Sequence, residues 1–151
     1  MKKEDKKKRA FLSETKRKIH WLNVILIFYF RDMAEHYELG KKGEQLAVDY
    51  LIEKGFSILD RNWRFQKAEV DIIAKNKDIL ISVEVKTRSN NQFGNPQEFV
   101  NPKKIKLLVS AMNEYIIQKD LDAEVRFDII AITKTNIGFD IEHLEDAFLY
   151  F

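Results

Sequence analysis

The stretch AEVDIIAKNKDILISVEVKTR, residues 68–88, decides the fold. It reads as two apolar strands, 68–75 and 78–88, joined by a tight polar turn. Three charged residues interrupt it: Asp71 in the first strand, Glu84 and Lys86 in the second. Side chains alternate along a strand, so Leu80, Ser82, Glu84 and Lys86 share one face. A turn near residues 76 and 77 sets Asp71 roughly opposite residues 82–84, which brings two carboxylates together across one ladder.

Outward from this hairpin the elements alternate. Residues 38–55, ELGKKGEQLAVDYLIEKG, carry Leu39, Gly43, Leu46, Ala47, Tyr50 and Leu51 at helical spacing, with Gly55 as C-terminal cap. Glu44 flanks the buried face of that helix, close enough to descend beside the two acids. Residues 56–65 form a strand of mixed pattern. Residues 89–101, rich in Asn, Gly and Pro, read as a loop, and Asn101 then caps a helix with Pro102 at its first position. Ile105, Leu108, Val109, Met112 and Ile116 form its apolar stripe. Residues 124–133, EVRFDIIAIT, are almost continuously apolar, as in a strand covered on both faces, and a short strand FDIEH follows. The long crossover from 88 to 124 predicts parallel placement of the strands it joins. The expected fold is α/β, a mixed sheet flanked by helices in the order αβββαβ.

The 151 residues suffice for one ordinary domain. No cysteine is present, which excludes disulfides and thiolate chemistry and fits a reducing cytoplasm. The net charge of +2 is uneven: residues 1–32 sum to +6 and residues 33–151 to −4. A basic total is therefore no sign that the folded part binds nucleic acid. The apolar run 19–30 would span roughly 18 Å as a helix, short of a bilayer core of roughly 30 Å, so no stable membrane span is expected. Residues 1–32 read as a basic and apolar extension, and residues 33–151 as a single domain.

The charged cluster carries the chemistry. At 4 Å and an effective dielectric near 20, a close carboxylate pair costs about 4 kcal/mol, whereas an exposed lysine ion pair returns roughly 0–1 kcal/mol. Such a cluster calls for a protonated member or a divalent cation, and oxygen donors without His or Cys suit Mg²⁺ or Mn²⁺. Lys86, on the face of Glu84, can stabilise charge on a phosphate. The bland alternative is a solvated Glu–Lys ion pair in a strand.

These residues resemble the restriction-endonuclease-like PD-(D/E)XK nucleases and, more closely, the uncharacterised bacterial YraN-like family. The resemblance rests on GKKGEQLAVDYL, ILDRNWR, EVDIIA, VEVKTR, the FG at 93–94, a lysine-led helix and VRFDIIAI. The first motif is also similar to archaeal Holliday-junction resolvases. The resemblance implies Asp71 and Glu84 as metal ligands, Lys86 as catalytic, and Glu44 as an additional site acid and ligand. It implies a metal-dependent nuclease acting on DNA, branched DNA included, and by analogy a homodimer. Ala68 stands where the family usually has glycine, which puts the turn into this strand in question.

Lys103, Lys104 and Lys106 sit at the start of the second helix, the unfavourable end for cations. Either a phosphate docks there or the three are simply solvated. Arg61 and Arg64, interleaved with Trp63 and Phe65, and Arg88 at the end of the VEVKTR strand complete the candidate nucleic-acid contacts. Two further readings stand beside the nuclease: a nucleic-acid-binding module with little catalysis, and an interaction protein whose acids merely pair with Lys86 and Arg88. The −4 charge of residues 33–151 favours these two.

Overall fold

The computed structural model describes residues 2–89 and 100–148, with side chains from residue 21 onward. Among the described residues two helices and five strands follow in order: α1 (Lys2–Glu53), β1 (Ser57–Phe65), β2 (Ala68–Asn76), β3 (Ile79–Arg88), α2 (Pro102–Lys119), β4 (Glu124–Lys134) and β5 (Phe139–Leu144). The expected loop 89–101 and its FG at 93–94 fall mostly outside the described residues.

The chain divides into two compact units, 1–38 and 39–151. The helix expected over 38–55 is the end of a much longer one that starts at Lys2. In the first unit Trp21, Leu22, Ile25–Phe30, Met33 and Tyr37 are all exposed. Arg31 pairs with Glu35 there, and Asp32 with His36, each one turn apart. Among the described residues no helix is long and apolar enough to cross a membrane.

The second unit is built on one five-stranded sheet in the order β1-β2-β3-β4-β5. All neighbours are antiparallel except β3 and β4, which run parallel over ten residue pairs from Ile79–Glu124 to Arg88–Thr133. The crossover through α2 makes that parallel joint, as the spacing predicts.

Each face of the sheet has its own core. On one side α1 contributes Ala47, Val48 and Leu51, packed with Ile72, Ala74, Ile81, Val83, Ile130 and Ile132. On the other α2 contributes Leu108, Ala111, Met112 and Tyr115, packed with Val70, Ile73, Leu80, Phe127 and Ile129. Burial on both faces explains why 124–133 reads as an almost continuous apolar run.

Local signals place the helix ends. Gly55 takes φ 85° after α1, and Asn101 accepts a hydrogen bond from Lys104 N at 2.9 Å while Pro102 opens α2. The turn from β1 to β2 has its left-handed residue at Gln66 (φ 53°). Ala68 already pairs with Phe65 inside the sheet, so alanine fits there without strain. At Gly43 a Cβ would lie 1.8 Å from Thr87 Oγ1, so only glycine lets α1 approach β3 this closely.

Candidate active site

The site forms where regular pairing stops. β2 and β3 pair from Asn76–Ile79 up to Ile72–Val83, and Asp71 and Glu84 stand one step beyond. There Asp71 Oδ2 accepts a hydrogen bond from Val85 N at 2.7 Å, so a side chain takes the place of a backbone partner. On the other edge of β2 the pairing passes from Arg61–Ile72 to Trp63–Val70. Between them Asn62 adopts φ 51°.

Alternation breaks at this point. Val70 and Ile73 both pack on the α2 side, whereas Ile72 packs on the α1 side. A regular strand would have put Asp71 on the face of Glu69, as the sequence suggests. Instead the break separates the two: Glu69 pairs outward with Arg64 at 2.9 Å, while Asp71 continues the β2–β3 register opposite Glu84, close enough for their charges to interact.

Glu84 is 2% exposed. Its Oε1 is held by two ammonium groups, Lys86 Nζ at 2.5 Å and Lys104 Nζ from the first turn of α2. Its Oε2 is buried without a hydrogen-bond partner, as is Ser82 Oγ two residues earlier on the same face. Burial, and then the charge of Glu84, push the Asp71 carboxyl up to about 6, against the pull of Val85 N, Lys104 and Lys86. The repulsion read from the sequence is thus real, but two lysines offset it rather than one. With all four groups charged the cluster is neutral.

The remaining predicted residues fall around this centre. Glu44, expected as a third acid, accepts from Asn62 Nδ2 at 3.2 Å. Among the described residues no three His, Asp or Glu side chains converge as a metal cluster. Arg61 bonds to Gln45 Oε1 at 2.9 Å, on the α1 side, and Arg64 to Glu69. Arg88 ends β3 half-buried. Lys103 and Lys106 are exposed on α2, and only Lys104 of the three reaches the acids. The sequence reading placed Lys104 with the nucleic-acid contacts; its position at the unfavourable helix end was the signal that it has an anionic partner.

A second buried carboxylate was not singled out from the sequence. Asp128, fully buried on β4, receives Arg126 through both oxygens at 2.9 and 2.7 Å. It also bonds to His143 Nε2 at 2.8 Å and accepts from Asp146 N at 3.0 Å. Burial pushes its carboxyl up, but the bonds from His143, Arg126 and Asp146 N outweigh burial and hold it below the ordinary value. Every contact is satisfied within the fold, so this cluster anchors β5 to β4.

Asp71 and Glu84 are the two carboxylates that can share a hard cation, and Lys86 and Lys104 the two cations that can face a phosphate. Comparison with known proteins agrees with the motifs that led here. Residues 43–132, which hold every one of these side chains, match the model of the uncharacterised protein family UPF0102. The chain is 62% identical over 119 residues to the UPF0102 protein FP2501 of Flavobacterium psychrophilum, covering 79% of this chain and all of that protein. It is 63% identical over 119 residues to a UPF0102 protein of Christiangramia forsetii, with the same coverage. To a UPF0102 protein of Bacteroides thetaiotaomicron it is 49% identical over 116 residues, 77% of this chain and 96% of that one. The resemblance to the YraN-like family is thereby borne out, and the chain belongs to the uncharacterised protein family UPF0102.

Proposed function

We propose that the protein is a divalent-metal-dependent nuclease that hydrolyses phosphodiester bonds in DNA, with branched or structured DNA as the candidate substrate. One observation carries the reading: Glu84 is buried with Oε2 unpartnered, beside a second carboxylate at the point where β2 and β3 part. An orphaned buried carboxylate oxygen costs stability unless a ligand completes it. The donors are all oxygen, which fits Mg²⁺ or Mn²⁺.

Asp71 and Glu84 would hold the ion, which supplies Lewis acidity to a phosphoryl oxygen and to the attacking water. Val85 N fixes the Asp71 carboxylate by its Oδ2, so the acid is oriented before substrate arrives. Lys86, 30% exposed at its side chain, stands between the buried acid and solvent and stabilises the charge that develops on the phosphate. Glu44 borders the site through Asn62.

The second reading, a nucleic-acid-binding module of this fold with little catalysis, is favoured by the neutral cluster. Two lysines already balance the two acids, so the fold stands without an ion.

Melting temperature in MnCl₂ and MgCl₂ separates the two. A working site adds RT ln(1 + [L]/Kd) of stability, about 2.7 kcal/mol at a hundredfold excess over Kd, and so raises the melting temperature, and Asp71→Asn abolishes the rise. Cleavage of duplex, single-stranded and four-way DNA then tests the reaction. Equal residual cleavage by wild type and Lys86→Ala would mark the activity as contamination.

A further inference from the structure

Glu84 Oε1 holds two ammonium groups and Oε2 none. That arrangement has a cost for any incoming cation. A dication that takes Glu84 must approach two positive charges, of which Lys86 is anchored two residues away on the same strand. Lys104 is different. It reaches across from the opening turn of α2, a separate element, and its side chain is 36% exposed against 30% for Lys86. It also lines a cavity of about 300 Å³ with Lys67, Lys103, Asn101 and Glu69, a recess in which three lysines outnumber one acid and which Glu84 does not line.

We propose that Lys104 is a displaceable counter-cation. It neutralises Glu84 in the metal-free protein, is released when a divalent ion takes that carboxylate, and then contacts a backbone phosphate of the bound strand in the recess beside Lys67 and Lys103. The proposal rests on the metal reading of Asp71 and Glu84. It assigns Lys104 to both ion and substrate binding, and makes the two cooperative: the ion frees the ammonium that the phosphate needs.

The test is a calorimetric titration of the full-length protein with MnCl₂, for wild type, Lys104→Met, Lys104→Arg and Asp71→Asn. Removing the competing charge should tighten Mn²⁺ binding about tenfold in Lys104→Met. Lys104→Arg, which keeps the charge, should stay near wild type, and Asp71→Asn should lose binding. In a second arm, a single-stranded oligonucleotide is bound in CaCl₂. Lys104→Met should bind about tenfold more weakly, with a salt dependence reduced by about one phosphate contact. Unchanged or weaker Mn²⁺ binding in Lys104→Met, beside measurable binding in wild type, overturns the counter-cation while leaving the metal site standing. Tighter Mn²⁺ binding with undiminished oligonucleotide affinity overturns the phosphate role. No Mn²⁺ binding by any variant overturns the metal reading and this proposal with it. Circular dichroism melting in EDTA confirms that each variant is folded.

Discussion

Asp71→Asn should make the metal-free protein more stable, and the gain should depend on pH in a defined way. The Asp71 carboxyl ionises near 6 in the fold, against 3.8 as its ordinary value. Its folded pKa is raised, so the contribution runs opposite to that of a salt-bridged acid. Below about pH 4 the group is protonated in both states and folding bears no penalty. As pH rises through 6, the folded protein must ionise a half-buried carboxyl beside Glu84, and stability falls. Each pH unit between the two values is worth about 1.4 kcal/mol, which gives a loss of about 3 kcal/mol by pH 8. Asparagine imitates the protonated acid, and its amide oxygen can still accept from Val85 N. Urea denaturation in EDTA should therefore show the variant up to about 3 kcal/mol more stable at pH 8, with the gap closing toward pH 4. In melting temperature this is roughly 6–12 °C for a chain of this size. Saturating MnCl₂ should reverse the order, because only wild type gains the ion. Equal stability of the two proteins at pH 8 in EDTA, or a gap that persists at pH 4, would refute the electrostatic account of the site.

Other perturbations read different parts of the fold. Gly43→Ala pushes a methyl group into Thr87 and should cost about 1–3 kcal/mol, part of which Thr87→Ala restores in the double mutant. Asp128→Asn leaves Arg126 without its buried partner and should cost about 3–5 kcal/mol by chemical denaturation. The Asp128 carboxyl is held low, so its contribution is full above about pH 4 and is lost as pH falls through the lower folded value; the acid limb of the wild-type stability curve should flatten in Asp128→Asn. Lys86→Met should reduce cleavage by two or more orders of magnitude while leaving the Mn²⁺-dependent rise in melting temperature in place, a split that assigns it to the phosphate rather than the ion.

How far the sequence disclosed this molecule varies element by element. The β2–β3 hairpin, the crossover and the parallel β3–β4 joint follow from periodicity, turn chemistry and connection length, all of which are local. The approach of Asp71 to Glu84 follows from the same hairpin. Three features do not. The break in alternation at Asp71 coincides, across the β1–β2 ladder, with Asn62, a residue in a left-handed conformation that no local pattern demanded. The Lys104–Glu84 contact depends on how α2 docks across the sheet, which spacing along the chain does not set. Asp128 lies inside an apolar run, and its partners Arg126, His143 and Asp146 are brought together only by the pairing of β4 with β5. Glu44 shows the converse. Its helical position is legible, but its partner, the left-handed Asn62, lies on β1 eighteen residues away.

The parallel joint between β3 and β4 also orders events in time. Asp71 and Glu84 are joined by a short local hairpin, whereas the Lys104 contact requires α2 to cross over and dock. In the hairpin alone Lys86 is the one ammonium beside the two acids, so a net negative charge should persist until the slower, non-local docking of α2 supplies the second. Deleting that ammonium should leave the refolding rate nearly unchanged and quicken unfolding, so the resting protein owes part of its lifetime, more than its speed of formation, to one late-arriving charge.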